Sequence, residues 1–336
     1  MSFIKRNNTV DYAKIICLFL ILFCHIPKSG GIFHNYVYSF HVPIFFLFSG
    51  IFYKTKPLKE VICNSTKSLL LPYVIFNLIL IGISASLGFV TSTFSVNENL
   101  INPLEGIFIG STDKDSNYHI PGGPSWFLLA LFIDRILIIP FIKCNITVKI
   151  LYAIGLITLY LIINQYFSWT VWSIDSALLG IPFMLIGYLG SDLFLKIINL
   201  NYKRRLIILI CCIAFIPIVL NNGLANMFNG EYGENFTLFI LGGISGSLLR
   251  ILLCSFIPSS SRFVTSILSV STFFICCHIM IMEYVMLIYR RSFQLSRELY
   301  VIDKIFISLF TITIVYLISI IYHRYRVSLN LKVKHE

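Results

Sequence analysis

Residues 11–25 read DYAKIICLFLILFCH, and residues 39–50 read SFHVPIFFLFSG. Both stretches are long apolar runs, yet Asp11, Lys14, His25 and His41 sit inside them. In hydrocarbon an ionisable side chain is costly, so each one inside a membrane segment is a functional-site hypothesis. The fold therefore turns on whether these runs lie in a bilayer or in a soluble core. Composition decides it. Soluble domains are about 45–50% apolar and about 25% charged. This chain of 336 residues is 57% hydrophobic and 12% charged, with a mean hydropathy of +0.85. Every long segment is apolar, which implies an all-α, polytopic membrane helical bundle forming a single domain over residues 1–336.

A spanning helix needs about 20 mainly apolar residues. Ten segments qualify or nearly qualify: roughly 10–27, 35–53, 68–90, 124–142, 148–164, 171–191, 205–221, 236–257, 263–288 and 304–323. The fifth and sixth are the weakest, being short or carrying Asp175 and Trp/Ser-rich flanks. Lys14 interrupts the first run and no small-residue cleavage pattern follows it, so we read that run as a retained helix and not as a signal peptide.

Basic residues set the orientation. With the N-terminus inside, the inner segments hold Lys5, Arg6, Lys54, Lys56, Lys59, Lys67, Lys143, Lys149, Lys196, Lys203, Arg204, Arg205, Arg262, Arg324, Arg326, Lys332 and Lys334. The outer segments hold only Lys28, Lys114, Arg290, Arg291, Arg297 and Lys304. The asymmetry predicts ten spans with both termini cytoplasmic, and the basic stretch at 290–304 is its exception. The net charge of +11 is thereby a matter of orientation, and nucleic acid is not expected as a partner. The nine cysteines lie mostly in apolar runs with no C-x-x-C pair, so small buried side chains are the better account of them than metal or disulfides. The longest outer loop, 91–123, is polar, with Asp113, Asp115, His119 and Pro121-Gly122-Gly123-Pro124. It reads as a cover for an acceptor site or as a solvated connector.

Lys14 and His25 are eleven residues apart, close to three helical turns, so they share a face with a rise of about 16 Å between them. A cation near the cytoplasmic mouth suits an anionic cosubstrate. A histidine deeper on that face suits proton removal from a hydroxyl. The plainer account is that Lys14 snorkels and His25 sits among headgroups. His41 tips the balance, because a tight hairpin through 28–34 would put it at a similar depth to His25. Pro43 removes a backbone donor and predicts a kink beside His41. Ser49-Gly50 predicts a close helix approach.

At these residues the chain resembles the integral-membrane acyltransferase 3 family. The motifs are Asp11-Tyr12-Ala13-Lys14 with His25, Ser39-Phe40-His41-Val42-Pro43-Ile44-Phe45-Phe46 with Ser49-Gly50, and Lys67 with Leu71-Pro72-Tyr73. They continue with Gly123-Pro124-Ser125-Trp126-Phe127-Leu128 and with Ser269-Val270-Ser271 running to His278. The family usually has Arg where Lys14 stands, and Asp-Tyr-x-Lys resembles its sugar O-acetylase sub-branch. Lysine keeps the charge and loses the bidentate fork.

The resemblance implies transfer of an acyl group, usually acetyl, from acetyl-CoA (or another acyl-CoA) as cosubstrate to a hydroxyl of a cell-envelope sugar or polysaccharide, free or lipid-linked. No bound cofactor and no metal is implied, and the location is the bacterial cytoplasmic membrane. His25 would be the general base, His41 would orient it or polarise the carbonyl, and Lys14 would hold the donor. Asp11, Trp126, His278 and Glu283 are supporting candidates, Trp126 first of all as an interfacial helix anchor. Glu283 and Asp175 are candidates for fixing a histidine tautomer. Asp134 and Arg135 point to different helix faces and read as structural, while Arg250 either meets phosphates or snorkels. His34 and His119 carry no signal. A transporter or flippase of a lipid-linked sugar is the alternative, as is a histidine-based pH sensor or channel, although no internal repeat of the transporter kind is visible.

Overall fold

The computed structural model describes residues 7–27, 30–111, 120–167, 170–257 and 261–332, with side chains as far as residue 322. Lys28, Asp113, Lys114, Asp115 and His119 lie outside the described residues. All regular structure among the described residues is helical. In chain order the helices are α1 (Asn8–His25), α2 (Ile32–Phe40), α3 (Pro43–Ile51), α4 (Leu58–Ser65), α5 (Leu71–Val90), α6 (Asn102–Ile109), α7 (Trp126–Lys143) and α8 (Ile146–Tyr166). They continue with α9 (Ile174–Leu189), α10 (Ser191–Ile198), α11 (Tyr202–Ala214), α12 (Ile216–Leu220), α13 (Phe236–Cys254), α14 (Arg262–Ser269), α15 (Ser271–Ser292) and α16 (Val301–Lys332).

Eight helices among the described residues are long and apolar enough to cross a membrane. The expected spans at 35–53 and 205–221 are each made of two shorter helices, and proline is the cause. Pro43 opens α3 and Pro217 lies in the first turn of α12. Neither can donate a backbone hydrogen bond, and each ring crowds the carbonyl four residues back. The expected span at 263–288 also divides, at Val270. The kink foreseen at Pro43 is thus a full break, with His41 and Val42 in the gap.

Two further departures have local causes. The helix entering the third expected span starts early, at Leu58, and widens into a π turn over Thr66–Leu70. Pro72 follows it and cannot donate to the Ser68 carbonyl, so the wider turn absorbs the mismatch. The loop at 91–123 is not unstructured. It contains a π turn (Asn97–Ile101) and α6, which stops at Gly110 in the left-handed conformation, φ 64°.

The chain forms two compact units, residues 1–31 with 250–336, and residues 32–249. In the second unit α9 is the central helix and packs along α3, α7 and α8. A Cβ on Gly50 would strike the Met184 carbonyl, and one on Gly187 would strike the Leu47 carbonyl. Only glycine lets α3 and α9 come this close, as the Ser49-Gly50 pair suggested. The upper part of this unit is sewn by buried polar groups. Asn77 Nδ2 donates to the Tyr73 carbonyl at 2.8 Å and to Ser125 Oγ at 3.0 Å, and its Oδ1 accepts from the Gly122 amide at 2.7 Å. The Tyr73 hydroxyl donates to the Ile107 carbonyl. In the first unit α1 packs against α14, α15 and α16.

Candidate active site

The first unit brings together two histidines that lie far apart in the chain. Asn7 caps α1 by accepting from the Thr9 amide. The helix ends at His25 because Ile26 precedes Pro27 and is forced into the extended conformation, ψ 131°. His25 is therefore the last residue of α1 and half-buried. His278 lies in the second turn of α15, 3% exposed. The two rings meet edge to face with centroids 5.5 Å apart. Phe274, one turn earlier on α15, stacks nearly parallel on His278 at 5.1 Å.

Hydrogen bonding fixes both tautomers in the same sense. His25 Nδ1 lies 2.7 Å from the Ile21 carbonyl. His278 Nδ1 lies 2.9 Å from the Phe274 carbonyl and 3.1 Å from that of Ile275. A carbonyl oxygen only accepts, so Nδ1 donates in each case and the neutral ring keeps its lone pair on Nε2. The Nε2 of His278 is buried with no hydrogen-bond partner. The outcome is an imidazole pair, anchored from behind by backbone, with Nε2 as the basic atom of each ring.

Cations stand along the same helix. Lys14 is half-buried on α1, with Asp11 one turn before it, also half-buried. Arg250, near the end of α13, acts electrostatically on Cys17 and Cys254. Cys17 is the residue one turn beyond Lys14 towards His25. Lys304, in the first turn of α16, is 6% exposed and acts on Cys24, the neighbour of His25 in the chain. Lys304 was read from the sequence as a loop residue, and here that reading is corrected. The amphipathic start of α16 carries it inward.

The second unit holds the other candidates. His41 is buried in the gap before Pro43, and its Nδ1 donates to the Val37 carbonyl at 2.9 Å. The Tyr38 ring packs on it at 4.6 Å, and His34 stacks on Tyr38 at 4.1 Å. Trp126 is buried against Phe127 and Phe228, which makes it a packing residue at the start of α7 and corrects its reading as an interfacial anchor. Asp175 was a candidate for fixing a histidine. Its Oδ1 instead accepts from Thr170 Oγ1 and from the Ser176 amide, each at 2.8 Å, which caps α9. Glu283 is exposed on α15. Backbone carbonyls do the tautomer-fixing assigned to these carboxylates. Asp134 and Arg135 do diverge. Asp134 is fully buried with both carboxyl oxygens unpartnered, and Arg135 Nη1 donates to Ser68 Oγ at 3.3 Å.

Polar groups inside a membrane bundle, with imidazole bases presented from fixed backbone and the Lys14 cation on the helix that ends in His25, suit transfer of a group from an anionic carrier. The family model described as an acyltransferase domain matches residues 7–324. The chain belongs to the acyltransferase 3 family. It is a multi-pass membrane acyltransferase, and the matched region takes in every helix described above except the last residues of α16. No curated protein and no solved structure matches it significantly.

Proposed function

We propose that this acyltransferase moves an acetyl group from acetyl-CoA to a hydroxyl of a cell-envelope sugar or polysaccharide, in the manner of the sugar O-acetylase sub-branch, at the bacterial cytoplasmic membrane. The observation that carries this reading is the His25–His278 pair, with each Nδ1 tied to backbone. In this scheme His25 Nε2 takes the proton from the acceptor hydroxyl. The hydroxyl oxygen then attacks the thioester carbonyl, the carbon–sulfur bond breaks, and the departing CoA thiolate receives the proton from His25. General base catalysis of this kind is worth roughly 10²–10⁴-fold. His278 holds the His25 ring edge-on and keeps it from turning.

With both termini cytoplasmic, Lys14 and Arg250 face the side from which CoA arrives. Lys14 on α1 and Arg250 on α13, which acts on Cys17 one turn beyond Lys14, together suit its phosphates better than one cation, and Arg250 supplies the planar fork that Lys14 lacks. The pantetheine arm then follows the α1 face towards His25. His41 presents its own Nε2 from the helix gap and is the second histidine to test.

The test is label transfer from radiolabelled acetyl-CoA in membranes that carry the protein. The expected result is label in envelope glycan with wild type, and its loss in His25→Ala with the variant inserted at normal level. Wild-type labelling by His25→Ala removes the general-base role. Movement of a lipid-linked sugar without label transfer selects a transporter. The NMR spectrum of the glycan then gives the position of the O-acetyl group.

A further inference from the structure

Arg135 lies inside α7, a helix long and apolar enough to cross a membrane, and the acetyl-transfer scheme gives it nothing to do. A cation there is costly and by default marks a functional position. Its surroundings hold it without neutralising it. Nη1 donates to Ser68 Oγ at 3.3 Å, and the Tyr53 hydroxyl donates to the Arg135 carbonyl at 3.4 Å. The carboxylate next to it in the chain, Asp134, points to another face with neither oxygen hydrogen-bonded. Arg297 and Lys56 each pair with a carboxylate, Asp303 and Glu60. Among the described residues Arg135 has no such pair. A guanidinium carries five N–H donors, and a serine hydroxyl that accepts a hydrogen bond still has its own hydrogen to give. Arg135 and Ser68 together therefore offer several donors, one group of them charged, to whatever lies against them.

Depth and exposure indicate what that is. The helix from Leu58 to Val90 is 33 residues long, and about 20 are enough to cross. α5 alone, Leu71–Val90, has 20. With α5 filling the hydrocarbon, Ser68 in the π turn ahead of it stands at headgroup level. The Lys67 and Leu71-Pro72-Tyr73 motif builds this step. Pro72 imposes the π turn, the turn packs on α7, and such turns are frequent at functional sites. Ser68 itself is exposed. Leu71, Ile75, Leu78 and Ile79, spaced to share one face of α5, are 44–52% exposed. A donor-rich polar end continued by an open apolar strip matches a phospholipid, headgroup at one end and acyl chain along the other. Lys67 before Ser68 and Lys54 after Tyr53 are also exposed and add positive potential. We propose that Arg135 and Ser68 bind the phosphate of an anionic phospholipid whose acyl chain lies along the α5 strip. The planar fork of arginine matches the phosphate oxygens.

The experiment uses the full-length protein in detergent, freed of lipid, and follows its melting temperature as phosphatidylglycerol or phosphatidylcholine is added. A ligand that binds only the folded state raises that temperature. Phosphatidylglycerol is expected to raise it for wild type at concentrations where phosphatidylcholine does little. Arg135→Gln should need about 10–100-fold more phosphatidylglycerol for the same rise, the range of a lost charge-assisted hydrogen bond. Arg135→Lys should fall between the two. Lys59→Gln, which removes an exposed cation at the start of α4, should behave as wild type. Ser68→Ala, at an exposed position, should shift the requirement in the same direction by a smaller factor, and it carries the test where Arg135→Gln does not fold. An equal response of wild type to the two lipids overturns the inference. So does a wild-type response of Arg135→Gln, or of Ser68→Ala in its place. An equal loss in Lys59→Gln also overturns it, because the effect is then one of overall charge. Stabilisation by CoA or inorganic phosphate that depends on Arg135, with none by phosphatidylglycerol, overturns it in favour of a soluble phosphate ligand. The readout involves no acyl transfer, so its failure and the failure of the acetyl-transfer reading are separate results.

Discussion

Asn77 in the second unit and His278 in the first are both buried polar side chains on membrane helices, and they are treated in opposite ways. Every polar atom of Asn77 has a protein partner within 3.0 Å, and those partners tie α5 to the turn that starts α7. His278 has one nitrogen held by two carbonyls and the other held by nothing. A buried polar group with all bonds made rigidifies a fold, whereas one left open at the ring edge of a second imidazole is kept for something that arrives. The contrast separates scaffold from chemistry without reference to motifs.

Three substitutions probe this contrast. The largest effect is expected for His278→Phe, which keeps ring volume and the stack on Phe274 but removes both nitrogens. The proposed acetyl transfer should fall about 100-fold, within the range for positioned acid–base groups. Protein amount in the membrane and the KM for acetyl-CoA should stay at wild-type values, and the pH profile should change shape. Asn77→Leu should do the reverse. Leaving the Gly122 amide without its acceptor and Ser125 without its donor costs about 1–3 kcal/mol for each stranded group. Thermal stability in detergent should drop by several degrees, with activity per folded molecule near wild type. If Asn77→Leu is stable but inactive, the division into scaffold and chemistry is wrong.

The smallest effect is expected at Asp134, the exception within the second unit. Its carboxyl is buried with neither oxygen hydrogen-bonded. Asp134→Leu should leave acetyl transfer unchanged and raise stability by up to about 1–3 kcal/mol, the cost of an unsatisfied buried group. A melting curve settles the sign, and loss of activity in this variant would move Asp134 from the scaffold to the chemistry.

Much of the architecture was legible in the sequence because a bilayer imposes length and hydropathy on any helix that crosses it. Pro43 signalled its break through the missing donor, and Gly50 its close contact through the missing side chain. The weak fifth and sixth segments proved to be long helices, α8 and the run ending in α9, since composition outweighed the polar residues at their edges. The ionisable residues that the fold brings together were legible singly and not in their pairings. Lys14, His25 and His41 stood out as ionisable groups in apolar runs, and His278 entered only through the family resemblance. A hairpin argument linked His25 with His41, because local spacing is all that a sequence offers. The partner actually at the His25 ring lies in α15, and nothing in either helix alone encodes that meeting. Lys304 was missed for a similar reason. It was counted with the basic stretch at 290–304, and only the Tyr300–Asp303 cap shows that the helix has already begun.

The glycine contacts between α3 and α9 have a mechanical consequence. Gly50 and Gly187 set backbone against backbone, and interfaces of that kind neither slide nor tilt without collision. α3 and α9 therefore act as one girder. α2 packs on α12, and α13 sets Gly242 and Gly246 against Ser39 and Phe40 of α2 and Gly243 against Phe183 of α9. The chain passes from α2 to the girder through two residues, and one of them is His41. Because His41 Nδ1 is tied to the Val37 carbonyl of α2, the direction of this imidazole is set by α2 and not by the girder that Pro43 opens.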